Sequence, residues 1–234
     1  MSPVDTIIIT DTETQGLVPS ETCQAIEVAI IVFDVETASE RASFSSLIHA
    51  TENPAESINR ISVAALLKAP PAEKVWGRVH AFVKEAGASA VFMAHRAEFD
   101  RGFYPSALAA LLPWVCSKFD VEWPASKLGA SCVEMALAHG VPVWDPHRAM
   151  TDAGLIASTL TRAVELGADL PAMLARAMRP KALYEVADRG FSAERNALAK
   201  AAGFAWIEKA RAWQRKMCPE DVGALGFEVR AVSP

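Results

Sequence analysis

Residues 11–16 read DTETQG and follow directly on the β-branched, apolar run VDTIIIT at 4–10. That run has the composition of a buried strand. Side chains two apart on a strand share a face, so Asp11 and Glu13 are expected side by side at the strand's end. Two carboxylates placed that way raise each other's pKa unless something positive stands between them.

The surrounding chain alternates strand and helix signals. After 4–10, the run AIEVAIIVFD at 25–34 reads as a second strand and FSSLIH at 44–49 as a third, forming a meander. A helical pattern covers 71–84, a short apolar strand 90–94, and a helix about 97–111 that Pro113 would stop. Further helices are expected at 131–139, closed by Gly140 and Pro142, and at 151–165, where Leu155, Ile156, Thr159, Leu160 and Val164 fall on one face. This order implies an α/β fold, a mixed sheet covered by helices. Composition changes near Met178, Arg179 and Pro180, so the expected domains are 1–170, a linker at 171–180, and a small α+β appendage at 181–234. Within the appendage, 182–186 reads as a strand, 192–202 as a helix, 204–217 as a hairpin and 227–232 as a last strand.

With 234 residues and 51% hydrophobic content the chain can bury a large core. No apolar stretch approaches the roughly 18 residues of a membrane span, and no basic segment precedes the first apolar run, so a cytoplasmic protein without a membrane partner is expected. Cys23, Cys116, Cys132 and Cys218 are scattered and read as free thiols rather than a zinc site or disulfide framework. The net charge of -5 is uneven: residues 1–180 carry 14 basic and 21 acidic groups, and residues 181–234 carry 9 and 7. Acids that ligate cations would offset the excess in the first part, so the sign does not exclude a polyanionic substrate.

Two more stretches bear on the paired acids. HRAEFD at 95–100 follows the strand at 90–94, which places Asp100 in the first turn of the next helix. In HRAMTDA at 147–153, His147 and Asp152 are five residues apart and cannot share a helical face, so His147 belongs to the loop before the helix. Four converging carboxylates would repel one another strongly. Divalent cations remove the problem, and all-oxygen ligands favour Mg²⁺ or Mn²⁺ over zinc. Two such ions about 3.5–4 Å apart suit in-line phosphoryl displacement, with a nearby histidine as proton acceptor.

DTETQG, AHRAEFD and HRAMTDA, in this order, resemble the three motifs of the DnaQ-like DEDDh 3′→5′ exonucleases, in the exodeoxyribonuclease X and polymerase III epsilon-like branch. The resemblance covers about residues 4–165. It implies a ribonuclease H-like sheet, two metal ions on Asp11, Glu13, Asp100 and Asp152, and His147 as general base. It further implies that Thr12, Thr14, Leu17, Ile58, Asn59, His95 and Phe99 meet the terminal nucleotide, although Leu17, Ile58 and Phe99 also fit a core. The chain departs from the family pattern at Arg96, which stands where Asn is usual, and at Asn59, which stands where His is usual.

The function so implied is release of nucleoside monophosphates from the 3′ ends of single-stranded or frayed DNA, in repair or proofreading, with a polymerase or repair protein as possible partner. The alternatives are an exoribonuclease or oligonucleotide phosphodiesterase and, in another class, a weakly catalytic binding module. Glu27, a charge inside an apolar strand, reads equally as a structural hydrogen-bonding group or a support for the site. Trp76, Trp114, Trp123 and Trp144 read as packing residues. In the appendage, which loosely resembles a small module of unknown function, Trp206, Trp213, Lys209, Arg211, Arg215 and Lys216 read either as a mini-core with solvating bases or as a single-strand surface.

Overall fold

A computed structural model describes residues 3–187 and 192–232. The outermost residues of the expected domains (1–2 and 233–234) and residues 188–191 of the appendage lie outside the described residues. The chain divides into two compact units, 1–177 and 178–234.

The first unit begins with strands β1 (Thr6–Thr14), β2 (Ala25–Asp34) and β3 (Ser39–Leu47). Short helices α1 (Glu56–Asn59) and α2 (Val63–Leu66) follow, then α3 (Ala72–Ala86), β4 (Ala90–Ala94), α4 (Ala97–Phe103), α5 (Ser106–Ala109) and β5 (Trp114–Cys116). Helices α6 (Cys132–Ala138), α7 (Ala149–Glu165) and α8 (Leu170–Ala177) complete it. The sheet order is β3-β2-β1-β4-β5, antiparallel through the first three strands and parallel from β1 to β5. This is the mixed, helix-flanked ribonuclease H-like sheet.

Every residue of β2 is buried, as a strand covered on both faces requires. On one face Ile8, Val28, Ile30 and Phe92 pack against Val75, Val79 and Val83 of α3. On the other lies α7, which contacts β1, β2 and β3. Alternation along β1 therefore sends Ile7, Ile9, Asp11 and Glu13 toward α7, and Thr10 toward Tyr104, whose hydroxyl it meets.

Four expectations need correction. The third strand, expected at 44–49, runs over Ser39–Leu47, because its ladder with β2 begins at Ser39. Strand β1 runs on through Thr14, so the paired acids lie inside it, because its ladder with β2 continues after the apolar run has ended. The helix expected at 97–111 is two helices. Proline disfavours helical geometry in the residue before it, and Tyr104, ahead of Pro105, is extended at φ -76° and ψ 147°. Much of the expected linker is α8, which buries Leu170, Leu174 and Ala177; Pro171 is tolerated in its first turn, where the missing N–H has no helical partner anyway.

The second unit holds β6 (Ala182–Val186), α9 (Ala193–Ala201), β7 (Ala205–Ile207), β8 (Ala212–Met217) and β9 (Val229–Ala231). The sheet order is β7-β8-β6-β9, wholly antiparallel. Ser192 caps α9 through Arg195 N–H, and Val186, Ala199, Phe204 and Met217 form a mini-core. Arg179 pairs with Glu220 and Asp221, and Arg230 with Glu185. Among the described residues no helix is long and apolar enough to cross a membrane.

Candidate active site

The parallel ladder between β1 and β4 ends at Ile9 and Met93, while β1 continues five residues further. Its edge on that side is then open, and Asp100 of α4 fills it. One carboxylate oxygen, Oδ1, accepts both the Thr12 N–H at 3.0 Å and the Thr12 hydroxyl at 2.9 Å. Asp100 is 2% exposed, and burial pushes its pKa up to about 7 against the pull of those two bonds. Thr12 thus orients a carboxylate, with both of its donors already engaged within the fold.

From the opposite face α7 brings Asp152. Asp11, Glu13 and Asp152 each present a carboxylate oxygen within 4.8 Å of the other two. Burial, then Asp100, Asp152, Glu13 and Glu27, drive the Asp11 pKa well above the ordinary carboxylate range. Burial and Asp152 push Glu13 up to about 7, and burial raises Asp152. A cluster of oxygen donors that resists ionising when empty is the donor set a hard divalent cation completes. Asp100 stands outside the group of three, close enough to raise Asp11.

His147 is exposed in the loop before α7, with φ +72°. Its backbone N–H donates to Asp152 Oδ2 at 3.2 Å, which holds the loop to the cluster. The same loop is tied to the C-cap of α1 by the Arg60–Asp145 ion pair.

One support was half legible in the sequence. Glu27, 4% exposed, receives Arg148 Nη2 at 2.6 Å and Nε at 3.1 Å, together with the Ala149 N–H at 3.1 Å. Arg148, the N-cap residue, makes no side-chain cap of its own, so Glu27 supplies from the sheet the anion that a helix N-terminus favours. Glu27 therefore fixes the helix that carries Asp152. Its signal in the sequence was a lone charge in an apolar strand; its partner Arg148 gave none.

The residues expected at the terminal nucleotide fall into two groups. Leu17 and Ile58 are 81% and 60% exposed, which removes the core reading for both. Phe99 is half-buried, packed on Phe103 with the Arg96 guanidinium over its ring. The others turn inward. Asn59 is 1% exposed, bonded to Asn53, to the Ile61 N–H and weakly to the Thr14 carbonyl, so it organises the loop rather than presenting itself to a ligand. Thr14 donates its hydroxyl to the Gly16 carbonyl. His95 has both ring nitrogens engaged, Nδ1 with Ser117 and Nε2 with the Ala130 carbonyl, and burial followed by Lys118 lowers its pKa to about 4. Among the tryptophans read as packing, Trp144 is 73% exposed.

The family model described as "Exonuclease" matches residues 8–160, spanning all three acidic stretches. The chain belongs to the exonuclease family. A second model, a domain of unknown function, matches 189–232. No curated protein matches the chain. Among solved structures, exonuclease X in complex with 5′ overhanging duplex DNA is 25% identical, with a TM-score of 0.53 over 73% of this chain and 99% of that one. The nuclease domain of 3′hExo, a DEDDh family member bound to rAMP, is 16% identical, with a TM-score of 0.55 over 72% and 96%. E. coli exonuclease I in complex with a dA16 oligonucleotide is 16% identical, with a TM-score of 0.59 over 84% of this chain and 50% of that one. The match across all three acidic stretches makes this chain an exonuclease-family enzyme, and its fold is that of the DEDDh 3′-exonuclease structures.

Proposed function

We propose that this exonuclease removes nucleoside monophosphates from the 3′ ends of single-stranded or frayed DNA, using Mg²⁺ or Mn²⁺. The observation that carries the reading is the convergence of Asp11, Glu13 and Asp152 within 4.8 Å, with Asp100 held beside them by Thr12. These four carboxylates would hold two divalent cations, which when bound neutralise charge and polarise the attacking and leaving oxygens. His147 takes the proton of the attacking water, whose oxygen replaces the 3′ oxygen of the preceding nucleotide on phosphorus. Thr12 keeps Asp100 aimed, and Glu27 keeps the start of α7 in place. Leu17 and Ile58 offer exposed apolar surface to the terminal base. DNA is favoured over RNA because the structure of exonuclease X, which this chain matches over nearly all of that protein's length, contains DNA.

The test is degradation of a 5′-labelled single-stranded DNA and its RNA counterpart with Mg²⁺, with Mn²⁺ and with chelator, by wild type and Asp11→Ala. The expected result is a ladder that shortens from the 3′ end only with metal, faster for DNA, and disappears in Asp11→Ala. Intact polymers under every condition, with binding retained, would sink the proposal; faster loss of RNA would reverse the sugar preference.

A further inference from the structure

The two tryptophans of the second unit meet different fates. Register places Trp206 of β7 opposite Trp213 of β8, on one face of the sheet. Trp213 packs against the mini-core and donates its indole N–H to Asn196 of α9 at 3.0 Å. Among the described residues that core does not include Trp206, which lies half-buried on the edge strand. Its ring stands 6.0 Å from Trp213 at 66°, and its indole N–H is held by Glu208 at 2.7 Å. The result is a tethered indole, part of whose surface stays open to solvent.

Beside it the turn 208–211 closes the hairpin, with Arg211 in the left-handed region at φ +48°. Lys209 and Arg211 are both exposed, and among the described residues neither forms an ion pair. Glu185, Glu220 and Asp221, by contrast, are engaged by arginines of the same unit. Glu208 is the one acid in the turn, so the hairpin end carries a net positive charge next to a half-buried aromatic ring.

We propose that this hairpin end is a binding site for single-stranded nucleic acid, separate from the carboxylate cluster, in which a base stacks on Trp206 and Lys209 and Arg211 meet neighbouring phosphates. An immobilised indole accepts any base face, and paired cations track a backbone without reading sequence. A protein ligand is the other occupant such a surface could take, and the test decides whether nucleic acid binds it. The choice of ligand rests on the nuclease reading, but the measurement does not need turnover.

Full-length protein is titrated in chelator with a fluorescent oligothymidylate of about 20 nucleotides, long enough to span such a site. Trp206→Ala should weaken binding about tenfold while Trp206→Phe retains most of it. Lys209→Glu with Arg211→Asn, two exposed changes that respect the left-handed backbone, should weaken binding and lower the log–log salt slope by about 0.7 per lost phosphate contact. Cleavage of a dinucleotide in Mg²⁺ should be unchanged in every variant. Unchanged oligonucleotide affinity in both the alanine and the charge variants overturns the proposal. Equal losses in Trp206→Ala and Trp206→Phe, with the charge variant unaffected, overturn it in favour of a packing role. If wild type cleaves nothing yet the variants still lose affinity in chelator, the nuclease reading fails and this site stands.

Discussion

Glu27 lies directly opposite Glu13 in the β1–β2 ladder, and its charge is met by Arg148 and the first N–H of α7. Like charges facing each other across a ladder are destabilising unless a third group intervenes. Arg148 does so, and it also lowers the pKa of Glu13 against the larger upward push of burial. Replacing Glu27 by Gln should cost about 2–3 kcal/mol in urea unfolding, the range for a hydrogen-bonded charge whose partner is half exposed. Since α7 carries Asp152, kcat should fall about tenfold with KM little changed, reflecting lost transition-state positioning. A stability change below about 0.5 kcal/mol would show that the pair buried Glu27 makes with Arg148 contributes little to holding α7.

Thr12 is expected to matter through Asp100 alone. Thr12→Val removes one of the two bonds to Oδ1 and should cost about 1–2 kcal/mol. Turnover should drop roughly tenfold, while Thr12→Ser, which keeps the hydroxyl, should stay close to wild type. Steady-state kinetics with both variants checks this; equal losses would point to packing of the threonine methyl.

Leu17 and Ile58 are too exposed to hold the fold together. Leu17→Ala and Ile58→Ala should each leave stability within about 0.5 kcal/mol of wild type, as surface changes do. They should nevertheless reduce kcat/KM on single strands several-fold. Melting curves beside kinetics separate the two effects, and unaltered kinetics would free both residues of any role at the 3′ end.

The metal-free enzyme should lose stability as pH rises. Asp11, Glu13 and Asp100 all titrate higher in the fold than in the unfolded chain, the last two near 7 rather than at the ordinary 4.5 and 3.8. The folded state therefore binds more protons than the unfolded one between about pH 4 and 7, and stability falls across that window. Melting temperatures in chelator should decline from pH 5 to pH 8. Mg²⁺ should restore them at the upper end, by binding the ionised cluster. Asp11→Asn should flatten the decline. A metal-free protein that grows more stable over this range would contradict the proposed charge state of the cluster.

Uniform local chemistry made parts of this fold legible in the sequence. The strands expected at 25–34, 90–94 and 182–186 have those bounds in the structure, because short, largely apolar runs of this composition favour a strand. The reading faltered where the tertiary neighbour decides. Strand β1 outlasts its hydrophobic pattern because its last residues face a carboxylate cleft instead of a core, and the stretch expected as a linker at 171–180 is largely α8, which begins at Leu170 with Pro171 in its first turn. At the site, motif order brought the acids together, but it could not reveal that Thr12 spends its donors on Asp100 or that Asn59 is sealed within a loop. Those assignments depend on partners 88 positions away for Thr12 and up to 45 away for Asn59.

The left-handed backbone at His147 has an energetic corollary. A non-glycine residue held there costs on the order of 1 kcal/mol, which the bond to Asp152 must outweigh. Glycine would sit in the same turn without that strain. With the relieved strain larger than the loss from glycine's greater freedom when unfolded, His147→Gly should melt slightly higher than wild type while hydrolysing almost nothing. On the proposed role of the imidazole, tolerance and usefulness pull in opposite directions at this position: selection for thermal robustness alone would drift toward an inert protein, and only selection for turnover would keep the imidazole.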